Sequence, residues 1–178
     1  MNLRLIVLFV SIVFSHIYAD SMEAPKPHVS TSENGTYFFT MIPADDNDKN
    51  SKAFGKAYRL NPDGSMSLLW QVEGWYAYQV ILSNDGKYLL RMGDWPLGCA
   101  ISSLDLAIAF YKEGKLLKSY STEDIIQKNS SIKCTVSHYT WVKDYTMGYH
   151  HEFNLETIEN MKLTFDIRTG NVIKINED

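Results

Sequence analysis

Three histidines are close enough in the sequence to suggest metal chemistry. His138 lies in a polar and aromatic stretch, and His150 and His151 precede Glu152. Zinc requires ligands that converge on one point, with metal–nitrogen distances of about 2.0–2.1 Å. On a strand, neighbours such as His150 and His151 point to opposite faces, so the two cannot share one ion. The pattern favours histidines at a strand edge, and neither a metal site nor a cofactor is expected.

The chain offers no recognisable nucleophile for a hydrolase. It has no Gly-x-Ser-x-Gly segment, which forms the nucleophile elbow of many esterases, and neither cysteine lies in a protease motif. Ser137 beside His138 does not make a catalytic pair, because adjacent strand residues face opposite ways. The acidic loop 44–50 lacks the glycine and glutamate positions of an EF-hand, which favours a solvated loop over a calcium site.

Aromatic side chains give the strongest indication of a binding surface. The segments 73–75 and 93–98 place two tryptophans beside turn-forming residues, where their rings could be exposed. Flat rings flanked by polar groups suit the face of a sugar or a protein hot spot. The alternative for any one ring is a place in the core, which most large aromatic residues of a small β domain occupy. The predicted ligand surface consists of Trp75, Tyr76, Arg91, Asp94, Trp95 and His138.

Alternation of apolar and polar residues predicts antiparallel strands along most of the chain. The clearest example is 161–167, where every second residue is apolar. Further strands are expected at 36–42, 57–60, 67–72, 76–82, 88–92, 106–111, 116–120, 136–142, 152–157 and 172–175. One short helix is expected after the hydroxyl cap Ser121, with its end near Asn129.

A weak internal repeat accompanies these strands. The segment 32–38 (SENGTYF) returns 51 residues later as 83–89 (SNDGKYL), and the hairpin 58–64 returns at 109–114 with the same displacement. A third hairpin at 165–171 (FDIRTGN) lies about 55 residues further on. Repeats of about 50 residues with several strands are typical of β-propeller blades.

These turns and hairpins resemble blades of quinoprotein-like and other bacterial β-propellers, and the central stretch 73–122 is similar to that of secreted bacterial β-rich proteins. The resemblance implies an all-β domain of antiparallel meanders with about three blade-like units. A ring normally needs at least four blades. An open stack of small sheets, a β-sandwich and an association of subunits therefore remain alternatives. The resemblance implies no activity.

The N-terminal residues predict export. Arg4 precedes the apolar run 5–14, and Ala19 supplies a small residue for cleavage. The run is shorter than the roughly 20 residues that a membrane-spanning helix needs. We therefore expect a signal peptide at 1–19, a flexible lead-in at 20–31 and a single β domain at 32–178. The protein would be periplasmic or secreted, with no membrane span after cleavage.

The two cysteines and the net charge narrow the function further. Cys99 and Cys134 are the only cysteines, and in an exported protein they predict a structural disulfide. The formal net charge of −4 argues against nucleic acid as a partner, because phosphate backbones attract basic surfaces. The sequence predicts an exported, non-enzymatic binding or interaction module for a protein or a glycan. A hydrolase of envelope polymers and a structural or assembly protein are the alternatives.

Overall fold

A computed structural model describes residues 22–148 and 151–177. The predicted signal peptide, the first residues of the predicted lead-in and His150 lie outside these ranges. The predicted all-β class is confirmed, because the described residues form fourteen strands in four antiparallel sheets and a single α-helix. No helix in these ranges is long and apolar enough to cross a membrane.

Three of the sheets are four-stranded meanders in which each strand pairs with the next along the chain. The first sheet contains β1 (His28–Thr31), β2 (Tyr37–Ile42), β3 (Phe54–Leu60) and β4 (Met66–Glu73). The second contains β5 (Val80–Leu82), β6 (Tyr88–Met92), β7 (Leu106–Lys112) and β8 (Lys115–Ser121). The third contains β11 (Val142–Met147), β12 (Glu152–Thr157), β13 (Met161–Asp166) and β14 (Asn171–Glu177). A small hairpin, β9 (Lys133–Cys134) with β10 (Tyr139–Thr140), precedes the third sheet.

The second sheet is the middle layer of the three. Alternate residues of β6 and β7 point to its opposite faces, so that this sheet contributes to two cores. Toward the first sheet, the buried residues are Leu89, Ala109 and Tyr111, packed with Phe39, Met41 and Val72. Toward the third sheet, they are Leu90, Ile108 and Phe110, packed with Phe153, Leu163 and Phe165. The near-continuous apolar run of β7 follows from this burial on both faces.

The internal repeat seen in the sequence corresponds to two turns with the same hydrogen bonds. The Ser32 hydroxyl donates to Asn34 Oδ1 at 2.8 Å, and the Ser83 hydroxyl donates to Asp85 Oδ1 at 2.5 Å. Both serines are 2% exposed, and each accepts a bond from the backbone amide five residues later at 3.0 Å. The two turns also bond to each other, since the Asn34 amide donates to Asn84 Oδ1 at 2.9 Å.

The last strand of each meander carries one extra residue at an equivalent place. The bulged residues, which have no partner in the pairing register, are Leu69 in β4, Leu117 in β8 and Ile173 in β14. All three are exposed aliphatic residues. Because a bulge bends its strand and increases the local twist, we expect a similar bend in the last strand of each of these sheets.

The helix is shorter than the sequence predicted. The helical segments are α1 (Thr122–Ile125) and a 3-10 turn (Asn129–Ser131). Ser121 caps α1 as expected, in a reciprocal capping box with Asp124. The expected end near Asn129 is wrong, because the Glu159 carboxylate accepts the backbone amides of Gln127 and Lys128, both at 2.8 Å. These bonds satisfy amides that would otherwise continue the helix.

Predicted strand boundaries also differ from the structure, most of all in three segments. Residues 28–31, expected in the flexible lead-in, form β1, because they pair with β2 along their whole length. Only the last three residues of the expected strand 76–82 are extended in a sheet, since the tyrosines before them bond to the N-terminal segment. The expected strand 136–142 is divided, because β10 pairs with β9 and β11 pairs with β12.

Candidate ligand-binding groove

Two aromatic rings from separate loops form a parallel stack at the surface. Trp95 lies in the loop between β6 and β7, and His138 lies just before β10. Their ring centroids are 3.8 Å apart with an interplanar angle of 12°. His138 is 8% exposed and Trp95 is 38% exposed. The histidine therefore fixes the plane of the indole ring, while part of that ring remains accessible to a ligand.

Backbone pairing holds the Trp95 loop against the β9–β10 hairpin. Leu97 and His138 form an isolated antiparallel bridge. The Tyr139 amide donates to the Pro96 carbonyl at 3.2 Å. His138 is further oriented by its own hairpin, because its Nδ1 lies 2.8 Å from the Thr135 hydroxyl. The stack therefore depends on main-chain contacts of the residues that follow Trp95 as well as on ring contact.

The predicted disulfide closes the same arrangement. Cys99 and Cys134 are bonded, with their Cα atoms 5.5 Å apart, so the expected disulfide is confirmed. Cys99 follows the bridged segment of the Trp95 loop, and Cys134 belongs to β9. The covalent link therefore joins the two segments that carry Trp95 and His138.

Two adjoining depressions, both open to solvent, flank Trp95. One has a volume of about 220 Å³ and extends toward Glu23 and Tyr78. The other has a volume of about 160 Å³ and extends past His138 toward Trp141 and Tyr145. Both are lined by the same four residues: Gln79, Gly93, Asp94 and Trp95. We call the two depressions together the Trp95 groove.

Asp94 is the acidic group at the centre of the Trp95 groove. Although the residue as a whole is exposed, desolvation raises the pKa of its carboxyl group, and the positive charge of Arg91 acts in the opposite direction. Overall the pKa of Asp94 is raised, so its carboxyl group takes up a proton more readily than an ordinary surface aspartate. In its ionised form it can accept hydrogen bonds from a ligand.

The other three predicted site residues form a packed cluster beside the groove. The Arg91 guanidinium lies 4.5 Å from the centroid of the Trp75 ring, and its Nη2 donates to the Tyr76 carbonyl at 3.2 Å. The Trp75 ring packs on Tyr111, with centroids 5.3 Å apart. None of the three lines the groove. The structure thus brings Asp94, Trp95 and His138 together. It places Trp75 and Tyr76 against the core of the first two sheets, with Arg91 over the Trp75 ring.

The N-terminal segment forms one wall of the Trp95 groove, which the sequence alone did not indicate. The Tyr78 hydroxyl donates to the Glu23 carbonyl at 2.5 Å. The Tyr76 hydroxyl donates to the Lys26 carbonyl at 2.8 Å and accepts the Lys26 amide at 3.1 Å. These bonds explain how residues 22–26, distant in the chain, reach a surface made by the β4–β5 and β6–β7 loops.

No group of three or more His, Cys, Asp and Glu side chains within 22–148 and 151–177 could hold an ion. In the acidic loop, the Asp45 and Asp48 carboxylates accept backbone amides two residues onward, both at 2.9 Å. His151 lines a different depression from His138. That depression is larger, about 370 Å³, but no Trp, Tyr or Phe is among the described residues that line it.

Comparisons with known proteins assign no family to the chain. No protein-family model matches it, and no curated protein matches it either.

Proposed function

We propose that this chain is an exported binding module whose ligand lies on the Trp95 groove. The Trp95–His138 stack is the observation that carries the proposal, because it holds a partly exposed indole ring in one fixed orientation. A fixed ring loses little conformational entropy when a ligand packs against it, so it contributes more to affinity than a mobile side chain. The polar groups of Asp94 and Gln79 lie beside this ring and can orient a ligand.

Export is the part of the proposal supported by the leader-like sequence 1–19 and by the disulfide. Disulfides persist in oxidising compartments such as the periplasm and the extracellular space. A small exported domain with a rigid surface site, no described metal cluster and no recognisable nucleophile is better suited to binding than to covalent chemistry.

A thermal-shift experiment on the exported protein, with its disulfide intact, tests the proposal. The panel contains oligosaccharides, peptides, and divalent metals with an EDTA control. A ligand at 100 times its Kd stabilises the folded state by about 2.7 kcal/mol, which raises Tm by several degrees for a domain of this size. We expect a stabilising ligand whose effect is lost in Trp95→Ala but kept in Leu104→Ala, a 92% exposed residue of the same loop that is outside the groove. A shift that Trp95→Ala leaves intact would contradict the proposal.

A hydrolase of envelope polymers is the second candidate, and the environment of Asp94 favours it. A carboxyl group whose pKa is raised by desolvation is the kind of general acid that glycoside hydrolases use. The test is incubation with polymeric glycans and measurement of new reducing ends. Hydrolysis that disappears in Asp94→Asn while binding remains would replace the binding module with an enzyme.

An assembly role is the third candidate, and the outer face of the first sheet favours it. The Phe38 and Tyr58 rings are stacked there with centroids 5.2 Å apart. Leu60, Met66 and Leu68 extend the same face and are 45%, 64% and 54% exposed. A second copy of the chain would cover this face. Sedimentation equilibrium of wild type and Leu68→Lys would then show a dimer that the variant abolishes.

A further inference from the structure

We propose that the ligand of the Trp95 groove is an uncharged pyranose chain, such as a glycan of neutral or N-acetylated hexoses. The inference depends on the proposed function, since it names the ligand class for the same groove. It is based on three features of the lining residues: their charge, the open shape of the groove, and the pairing of a flat ring with neutral and acidic hydrogen-bonding groups.

The charge of the lining residues disfavours an anionic ligand. Among the described residues, the groove is lined by two carboxylates, Asp94 and Glu23, and by no lysine or arginine. Two cations outside the lining act on these carboxylates: Lys26 pairs with Glu23, and the Arg91 guanidinium, which lies over Trp75, favours the ionised form of Asp94. A uronic acid, sulfate or phosphate group would therefore lie closest to the two carboxylates, while the two cations already interact with those carboxylates or with Trp75.

The shape of the groove disfavours a compact cation as the ligand. Quaternary ammonium groups bind in cages whose aromatic rings surround the cation. Here the two depressions lie side by side, share Trp95, and are both open to solvent. An open groove whose two depressions share the Trp95 ring suits a chain that continues on both sides of that ring. One pyranose would stack on Trp95 and its neighbours would occupy the two depressions.

The polar groups around Trp95 match the hydroxyl groups of a sugar. The Asp94 carboxylate accepts hydrogen bonds, and the Gln79 amide can both donate and accept. Thr140, exposed beside His138, adds a hydroxyl that does both. Tyr145, half-buried at the far end of the groove, supplies a second ring for a neighbouring sugar. Sugar hydroxyls also act as donor and acceptor, so an uncharged chain would leave none of these groups unpaired.

Calorimetric titration with four probes tests the inference. The probes are chitotetraose, cellotetraose, tetragalacturonate and a trimethyllysine peptide. At least one of the two uncharged tetrasaccharides is expected to bind, and Trp95→Ala should weaken it at least tenfold. Leu104→Ala, which does not alter the groove, should leave the affinity unchanged. Tetragalacturonate should bind at least tenfold more weakly than the uncharged chain, and Asp94→Asn should reduce that difference. Trp95→Phe, which keeps a ring on His138, should retain part of the affinity even if Trp95→Ala is poorly folded.

The outcomes separate this inference from the proposed function. If tetragalacturonate or the trimethyllysine peptide binds through Trp95 and neither uncharged chain does, the ligand class is overturned and the groove remains the binding site. If an uncharged chain binds Trp95→Ala and Trp95→Phe as tightly as it binds the wild-type protein, both proposals are overturned, because the chain then binds elsewhere. If neither tetrasaccharide binds at millimolar concentration, the inference of an uncharged pyranose chain is overturned.

Discussion

Removal of the Cys99–Cys134 disulfide should lower the stability of the protein by an amount that the structure allows us to calculate. The bond joins residues separated by 35 positions. In the chain-entropy model, closing a loop of this size in the unfolded chain stabilises the native state by about 3–4 kcal/mol at 25 °C. Both cysteines are exposed, so Cys99→Ala with Cys134→Ala leaves no buried cavity to add to this value.

The double variant should therefore show a free energy of unfolding about 3–4 kcal/mol below that of the oxidised protein, with Tm lower by roughly 10 °C. Urea unfolding, followed by circular dichroism, measures the difference. The m value should rise slightly, because the unfolded chain without the cross-link exposes more surface. Wild-type protein reduced with a thiol is the matched control and should match the variant. A loss below about 1 kcal/mol would refute the reasoning, since it would mean that the link does not constrain the unfolded state.

Three further perturbations have expected outcomes. Tyr139→Phe removes a buried hydroxyl that donates to Asp105 at 2.9 Å and should cost about 1–3 kcal/mol in urea unfolding at neutral pH. Burial raises the pKa of Tyr139 from 10.0 to about 12, so wild-type stability should fall as pH rises from about 10 to 12, and this fall should be smaller in the variant. Gly93→Ala should cost about 1–3 kcal/mol, because its Cβ would overlap the Leu106 carbonyl oxygen, and an unchanged urea midpoint would contradict that reading. Asp94→Asn should raise Tm at pH 7 but not at pH 3, because a carboxyl group with a raised native pKa loses native-state stability as it ionises; calorimetry at the two pH values decides.

The local patterns of the sequence were sufficient to predict most strands. Residues 88–92 and 152–157 form strands with the predicted boundaries, since a turn lies on each side of both segments. The alternation is uninterrupted in 152–157, whereas 88–92 has buried residues on both faces. Boundaries failed where a distant group replaced the local hydrogen bond. Glu159 ends α1 early, and no pattern around residues 121–129 reveals a carboxylate 30 positions away. The arrangement of the three meanders as a propeller-like stack remains a prediction.

The candidate site was also partly predictable, because local sequence patterns indicate some of its residues and distant contacts bring in the others. Asp94 and Trp95 stand in a turn-rich segment, and a link from Cys99 to Cys134 brings that segment toward His138. Exposure could not be read from residue type, because a tryptophan beside a glycine can face either solvent or core. Trp75 is an example, because its ring packs against Tyr111 although its sequence context resembles that of Trp95. The contribution of Glu23 depends on a fold-level contact that has no sequence signature.

The most direct test of the central claim is to follow the indole N–H signals of the four tryptophans by NMR during titration with a bound saccharide. The Trp95 signal should shift progressively to saturation, because its ring is the central surface of the groove. The Trp70 signal should stay in place, because its Nε1 donates to the Gly86 carbonyl at 2.8 Å on a different part of the molecule. A titration in which Trp95 remains fixed while another tryptophan shifts would contradict the account.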